Sequence, residues 1–186
     1  MSNSHFSFII LLLFIFMVAA SGDSKSDDCV YTLYVKTGSI IKAGTDSKIS
    51  ITLGDAQGKS VSIPDLERWG LMGSNYDYYE RSNQDIFTVR APCVGGPLCR
   101  INVTSDGSGD HHGWYCDYVE VTSTGPHKGC SQTIFYVDQW LAKDAPPYQL
   151  TAILDGCSQL QLQQKKTTEP FVVRKHQEEG GVAAAQ

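Results

Sequence analysis

The sequence lacks the patterns that mark common catalytic centres. It contains no HExxH zinc motif, no phosphate-binding loop and no dinucleotide-binding fingerprint. The run Gly107-Ser108-Gly109 does not have the Gly-x-Ser-x-Gly spacing of a hydrolase nucleophile, and no helix is predicted after it. The pair His111-His112 lies in a Gly/Asp turn without further His ligands, so we interpret it as solvated. We therefore expect a protein that is not an enzyme.

Basic residues are scarce. The chain has 15 Lys and Arg residues against 20 Asp and Glu residues, which gives a formal net charge of -5 at pH 7. The phosphate backbone of nucleic acid selects for Lys- and Arg-rich surfaces, so we expect no nucleic-acid partner. Docking through a polybasic patch is also disfavoured, because each uncompensated acidic charge near anionic headgroups costs about 1 kcal/mol. A bridging cation would offset this repulsion.

A long membrane-spanning run is also missing. The apolar segment Phe6–Ala20 has about 15 residues, whereas a membrane-spanning helix needs about 20. Small residues and then an acidic stretch follow, which predicts a signal peptide over 1–22, cleaved after Ala20 or Gly22, and a polar linker over 23–28. An uncleaved anchor is the alternative, because His5 stands where a Lys or Arg is usual. We expect a secretory-pathway protein, either extracellular or in the endoplasmic reticulum.

All six cysteines follow this segment, so we expect disulfides formed in an oxidising compartment. Zinc is the less favoured interpretation, because no paired CxxC or Cys/His spacing supplies four ligands. The sequence leaves the pairing open. The preferred pairs are Cys29 with Cys157, Cys93 with Cys99 and Cys116 with Cys130. Closing the long loop of the first pair would contribute about 2–4 kcal/mol.

Short β-type runs alternate with turn residues from Cys29 to about Asp155. Eight strands are predicted: Val30–Lys36, Lys48–Leu53, Lys59–Ile63, Asp85–Arg90, Cys99–Thr104, Trp114–Thr122, Gln132–Val137 and Gln149–Leu154. Such spacing without long helical periodicity is typical of an all-β sandwich or barrel, here one domain over 29–157. The segment 158–186 has little apolar surface and is predicted to be a disordered tail.

Four motifs then carry a family resemblance. They are Tyr31–Gly38 (YTLYVKTG), Ala43–Ile49 (AGTDSKI), Tyr79–Phe87 (YERSNQDIF), and Ser105–Gly109 (SDGSG) leading to Gly113-Trp114-Tyr115 and Val119-Glu120-Val121. In their order and spacing they resemble the PLAT, or lipoxygenase-homology, domain. The resemblance implies an eight-stranded antiparallel β-sandwich.

The stand-alone arrangement, with cysteines around Ala91-Pro92-Cys93, is similar to plant stress-type single-domain PLAT proteins. This implies a non-catalytic module that binds membrane lipid or protein and acts in the stress response. An adaptor that recruits or regulates a lipoxygenase- or lipase-type enzyme in trans is the alternative.

The resemblance also implies a calcium site. The matching positions are the carbonyl of Gly44 and the side chains of Asp46, Asp77, Glu80 and Asp110. Carboxylates that converge on loop tips repel each other, and a hard divalent cation with six to eight oxygen ligands removes that repulsion. Near Asp110 the sequence departs from the family, because His111-His112-Gly113 stands where an acid is often found. The alternative is that these acids cap turns or pair with Arg81.

A membrane-contacting set is implied in the same way, since lipoxygenase PLAT domains insert apolar loop residues at similar places. The candidates are Ile40, Ile41, Trp69, Leu71, Met72 and Trp140. Exposed apolar side chains would partition into lipid with about 25 cal/mol per Å² buried. The alternative for the two Trp residues is packing within the fold. Separately, Asn102-Val103-Thr104 is a glycosylation sequon, usable only if Asn102 faces outward.

Overall fold

A computed structural model describes residues 28–163 and 170–175 of the chain. The predicted signal peptide over 1–22 and the linker up to residue 27 lie outside the described residues, as do 164–169 and 176–186 of the predicted tail. Within the described part, no helix has the length and apolar character that crossing a bilayer requires.

Nine strands and two short helices make up the described fold. The strands are β1 (Asp28–Thr37), β2 (Ile49–Asp55), β3 (Ser60–Ile63), β4 (Gln84–Pro92), β5 (Leu98–Ser105), β6 (Trp114–Gly125), β7 (Lys128–Leu141), β8 (Thr151–Asp155) and β9 (Phe171–Arg174). A 3-10 helix covers Glu67–Trp69, and the α-helix α1 covers Cys157–Gln163. One sheet has the order β4-β1-β6-β7-β9, and the other has the order β3-β2-β5-β8.

The core lies between the two sheets, because alternate residues along each strand point to the same face. In β1 every second residue from Cys29 to Thr37 is buried, and β5 repeats the alternation. Facing side chains at the centre include Tyr31, Leu33, Val35, Ile51, Leu53, Ile101, Val121 and Phe135. The predicted β-sandwich is therefore confirmed. Its eight predicted strands are present, and their ends differ from the prediction by at most four residues, as at Lys128–Leu141.

The ninth strand lies in the segment that was predicted to be disordered. β9 runs parallel to β7, with Phe171 opposite Thr133, and it buries Phe171 and Val173. A methyl group at Gly156 would lie 2.7 Å from Val173 Cγ2, so a side chain there would push β9 away. Helix α1 also extends past residue 158. The disordered-tail prediction is wrong for these residues. It was based on the polar composition of the whole segment 158–186, whereas four residues with alternate side chains buried are enough to add a strand to a sheet.

The strand register divides the loops between two ends of the sandwich. Lys36 pairs with Gln84, Ile49 with Ser105 and Trp114 with Leu141. The loops 38–48, 64–83, 106–113 and 142–150 therefore meet at one end, which we call the loop pole. The opposite end contains the loops 56–59, 93–97 and 126–127, and we call it the disulfide pole.

Both disulfides lie at the disulfide pole. They join Cys29 to Cys93 and Cys99 to Cys157, each with a Cα–Cα distance of 4.8 Å. The predicted pairs Cys29–Cys157 and Cys93–Cys99 are therefore wrong. The reason is strand pairing: Cys29 lies opposite Ala91, two residues before Cys93, and Arg100 lies opposite Asp155, two residues before Cys157.

The predicted Cys116–Cys130 bridge is also wrong, because both thiols are free. Cys116 lies on β6 opposite Gln139, far along β7 from Cys130. The side chain of Cys116 is fully buried, whereas that of Cys130 is exposed.

Differential alkylation tests this cysteine assignment. Under native, non-reducing conditions we expect a thiol reagent to label Cys130 only. Cys116 should react only after unfolding, because burial removes access and raises the pKa of its thiol well above the usual value. Peptide mapping should then recover the Cys29–Cys93 and Cys99–Cys157 peptides. A Cys116–Cys130 peptide in the folded protein would contradict the assignment.

Candidate functional site

A buried carboxylate at the start of β4 positions one loop of the loop pole. Asp85 is fully buried, and its Oδ2 accepts a hydrogen bond from the Tyr79 N–H at 2.7 Å. Its Oδ1 accepts one from the Tyr76 hydroxyl at 3.0 Å, and that hydroxyl in turn accepts one from Asn83 Nδ2 at 2.9 Å. Burial raises the pKa of Asp85, while these hydrogen bonds oppose the rise. The loop that contains Glu80 is thus held from the core.

The loop between β1 and β2 packs directly against this loop. The Thr45 N–H donates to the carbonyl of Tyr79 at 3.3 Å. A methyl group at Gly44 would lie 3.2 Å from that carbonyl oxygen and 3.1 Å from the Arg81 nitrogen. The close approach of the two backbones therefore favours glycine at this position, and it brings Gly44 beside Glu80.

The loop between β5 and β6 closes onto the same segment. The His111 carbonyl accepts from the Asp46 N–H at 3.1 Å and from Thr45 Oγ1 at 2.8 Å, and the Ser108 carbonyl accepts from Ser47 Oγ at 2.6 Å. Asp46 Oδ2 lies 3.1 Å from both the His111 backbone N–H and His111 Nδ1. Three loops from distant parts of the sequence are thereby joined.

Between these loops and the end of β7 lies a cleft of about 700 Å³. Its charged lining includes the cations Lys42 and Arg81 and the acids Glu80, Asp110 and Asp144. Its apolar lining includes Ile41 and Trp140. His111 and His112 also line it, and His112 Nε2 lies 3.6 Å from Asp144 Oδ2. The cleft therefore combines both signs of charge with apolar walls.

The predicted calcium ligands are only partly brought together. Gly44, Glu80 and Asp110 line the cleft, whereas the Asp46 carboxylate is engaged by His111 and Asp77 is exposed outside the cleft lining. No group of three or more His, Cys, Asp or Glu residues in the described part could hold a metal ion. The acids as placed do not fit calcium, and calcium binding stays a prediction. The ion pairs among the described residues include none between Arg81 and these acids.

Five of the six predicted membrane-contacting residues are exposed at the loop pole. Their exposed fractions are 43% for Ile40, 78% for Ile41, 43% for Trp69, 60% for Leu71 and 37% for Met72. Trp140 is half-buried, with its ring edge-on to Tyr115 at a centroid distance of 5.5 Å. For Trp140 the packing alternative therefore holds in part.

Sequence reasoning missed three contributors to this surface. Tyr148, 64% exposed, lies in the loop between β7 and β8, and the signal for it was an aromatic residue directly after a Pro-Pro turn. Lys42 directly precedes the family motif Ala43–Ile49, and Arg81 lies within the motif Tyr79–Phe87, where it was considered only as a partner of the acids. Nothing in their local sequence shows that both face one cleft.

The glycosylation sequon lies on strand β5, away from the loops of the loop pole. Asn102 is half-buried on the outer face of β5, between the inward-facing Ile101 and Val103. Its Oδ1 accepts a hydrogen bond from Thr104 Oγ1 at 3.1 Å. Outward orientation is what glycosylation requires, and occupancy stays a prediction.

Comparison with known proteins defines the family. Residues 31–154 match the model of the PLAT/LH2 domain, so the chain belongs to the PLAT/LH2 domain family. It is 53% identical to PLAT domain-containing protein 1 of Arabidopsis thaliana over 151 residues, which are 81% of this chain and 82% of that protein. It is 56% identical to PLAT domain-containing protein 3 of Arabidopsis thaliana over 104 residues, 55% of this chain and 100% of that protein.

Solved structures show more distant similarity. Coral 8R-lipoxygenase matches with a TM-score of 0.49 and 21% identity over 68% of this chain and 16% of that chain. This similarity is too low to transfer any property of that enzyme.

Replacement of Asp85 tests the anchor of the loop pole. Asp85→Ala should lower the free energy of unfolding by about 2–4 kcal/mol, because it leaves a buried N–H and hydroxyl without their acceptor. The exposed Asp77→Ala on the same loop is the control and should change stability by less than about 0.5 kcal/mol. Urea unfolding measures both. Equal stability of the two variants would contradict the role of Asp85.

Proposed function

We propose that this chain is a non-catalytic binding module that docks its loop pole onto a lipid surface. The supporting observation is where the exposed apolar side chains lie. Among the described residues, eight large hydrophobic side chains are exposed, and six of them lie in the loops of the loop pole. Clustering of this kind marks an interaction surface, whereas scattered exposure is ordinary.

The chemistry of the loop pole favours lipid over a folded protein partner. The exposed side chains come from three separate loops around a charged cleft, and they include Trp69 and Tyr148. Aromatic residues of this kind favour the headgroup level of a bilayer, where an apolar ring and a polar edge are both accommodated. The side chain of Lys42 beside Ile41 can extend its ammonium group to the headgroups.

The net charge of -5 determines which membrane is expected. An acidic domain loses about 1 kcal/mol per uncompensated charge near an anionic surface. A membrane of electrically neutral, zwitterionic lipids imposes no such cost. We therefore expect neutral membranes to be preferred when no bridging cation is supplied.

The sequence also predicts that calcium assists membrane association, but the docking proposal does not depend on calcium. As placed, Glu80 and Asp110 share the cleft, but Asp46 contacts His111. Binding of neutral vesicles should therefore persist in a chelator. Calorimetric titration of calcium into the purified protein tests the ion directly, and saturable heat together with chelator-sensitive vesicle binding would show that the ion takes part.

Ile41→Ser is the most direct test of membrane docking. Burial of a side chain that is now 78% exposed should contribute about 1–2 kcal/mol, so its loss should weaken vesicle binding about 5- to 30-fold. Co-sedimentation with phosphatidylcholine vesicles measures the change.

The matched control is Ile153→Ser, because Ile153 is 61% exposed but lies on β8 at the outer face of its sheet. It should leave vesicle binding unchanged. Equal loss in both variants, or no vesicle binding by the unaltered protein, would contradict the proposal.

The adaptor alternative uses the same surface for a different partner. In this alternative, the exposed apolar pole contacts a lipoxygenase- or lipase-type enzyme and brings it to its substrate. Failure of vesicle binding combined with recovery of such an enzyme by crosslinking would favour this function. Action in the stress response, within the secretory pathway, is part of the proposal under either function.

A further inference from the structure

The cleft at the loop pole contains two unpaired charges of each sign. Within the part of the chain that the structure describes, the side chains of Lys42 and Arg81 have no ion pair, and neither do those of Glu80 and Asp110. All four line the same cleft. A ligand of one sign would leave two like charges without a counterion, whereas a ligand with both signs would bring a counterion to each pair.

The remaining titratable groups of the cleft are already engaged. His111 contacts Asp46 at 3.1 Å, and His112 lies 3.6 Å from Asp144. These two pairs form part of the cleft wall. A ligand in the cleft would therefore interact mainly with the four unpaired charges.

The apolar wall adds a preference for the type of cation. Trp140 is held edge-on by Tyr115, whose hydroxyl donates to Asp138 at 2.8 Å. Burial, with Asp138 beside it, raises the pKa of Tyr115 to about 12, so this hydroxyl stays a donor at neutral pH. The indole face of a fixed Trp attracts quaternary ammonium groups.

We propose that this cleft binds the headgroup of a single zwitterionic phospholipid, with its phosphodiester at Lys42 and Arg81 and its ammonium at Glu80, Asp110 and Trp140. This inference rests on the proposed membrane docking and names the lipid class. A cleft of about 700 Å³ is within the usual size of small-ligand sites and exceeds the needs of one headgroup. Ile41 lines the same cleft, so the acyl chains of the bound lipid would lie beside this apolar side chain.

Vesicle composition gives the first experiment, performed with the purified protein in a chelator. Phosphatidylcholine vesicles should bind at least about tenfold more tightly than vesicles of digalactosyldiacylglycerol, because the second lipid is also neutral overall but has neither a phosphate nor an ammonium group for the four charged side chains. Soluble glycerophosphocholine, which has the same phosphodiester and ammonium groups, should compete, whereas inorganic phosphate alone and choline alone should not. Equal binding of both vesicles, or competition by inorganic phosphate alone, would overturn the proposal.

Charge-removing variants give the second experiment. Arg81→Gln and Glu80→Gln should each weaken binding of glycerophosphocholine about tenfold, because each removes one charge-assisted contact. The controls are Arg90→Gln, an exposed cation on β4 near the disulfide pole, and Asp77→Asn, an exposed acid on the Glu80 loop outside the cleft lining. Both controls should bind as the unaltered protein does. If only one of the two cleft variants binds more weakly, the proposal of a zwitterionic ligand is wrong, and the cleft is a site for a ligand with charge of one sign.

Failure of this inference is distinguishable from failure of membrane docking. If vesicles bind in an Ile41-dependent manner but without headgroup preference, docking holds and the headgroup site is wrong. If glycerophosphocholine binds but vesicles do not, the cleft takes a soluble zwitterion, and both the lipid assignment and the docking proposal are overturned.

Discussion

Two buried carboxylates, one at each pole, accept hydrogen bonds from the loops around them and fix the conformation of those loops. At the loop pole, Asp85 accepts from Tyr79 and Tyr76. At the disulfide pole, the fully buried Asp55 accepts four backbone N–H bonds, from Gln57, Lys59, Gly95 and Gly96. Buried polar groups are stable only when their partners are in place, so each carboxylate enforces one loop conformation. The cleft at the loop pole can be preformed because Asp85 holds the Glu80 loop from the core, loop 38–48 is hydrogen-bonded to that loop, and loop 106–113 is hydrogen-bonded to loop 38–48 in turn.

The two poles have different physical roles. At the disulfide pole, each bridge joins a strand to the segment that follows its neighbouring strand: Cys29 of β1 to Cys93 just after β4, and Cys99 of β5 to Cys157 just after β8. Such crosslinks limit the freedom of the unfolded chain. At the loop pole, no crosslink is present in the described residues, and hydrogen bonds between loops replace it. The loop pole exposes Ile41, Trp69 and Leu71, and leaving these side chains unburied lowers the stability of the fold. The disulfides at the opposite end of the sandwich offset this loss.

Much of the fold followed from local pattern, whereas the pairings did not. The alternation of Ile49, Ile51 and Leu53 with polar residues was enough to define a strand and its buried face. The cysteine pairs depended on register, since Cys29 meets Cys93 only because β1 and β4 are neighbours. The family resemblance located the loops of the candidate site, but the orientation of Lys42 and Arg81 toward one cleft arises from the packing of loops that are distant in sequence.

The central claim is that the loop pole is the face that meets a membrane. Hydrogen–deuterium exchange of the protein on phosphatidylcholine vesicles tests it most directly, because it reports which backbone segments lose solvent access. The account predicts slower exchange in loops 38–48, 64–83 and 142–150, with no change in 93–97 or at the β6–β7 turn of the disulfide pole. Protection confined to the disulfide pole, or spread evenly over the outer faces of both sheets, would contradict it.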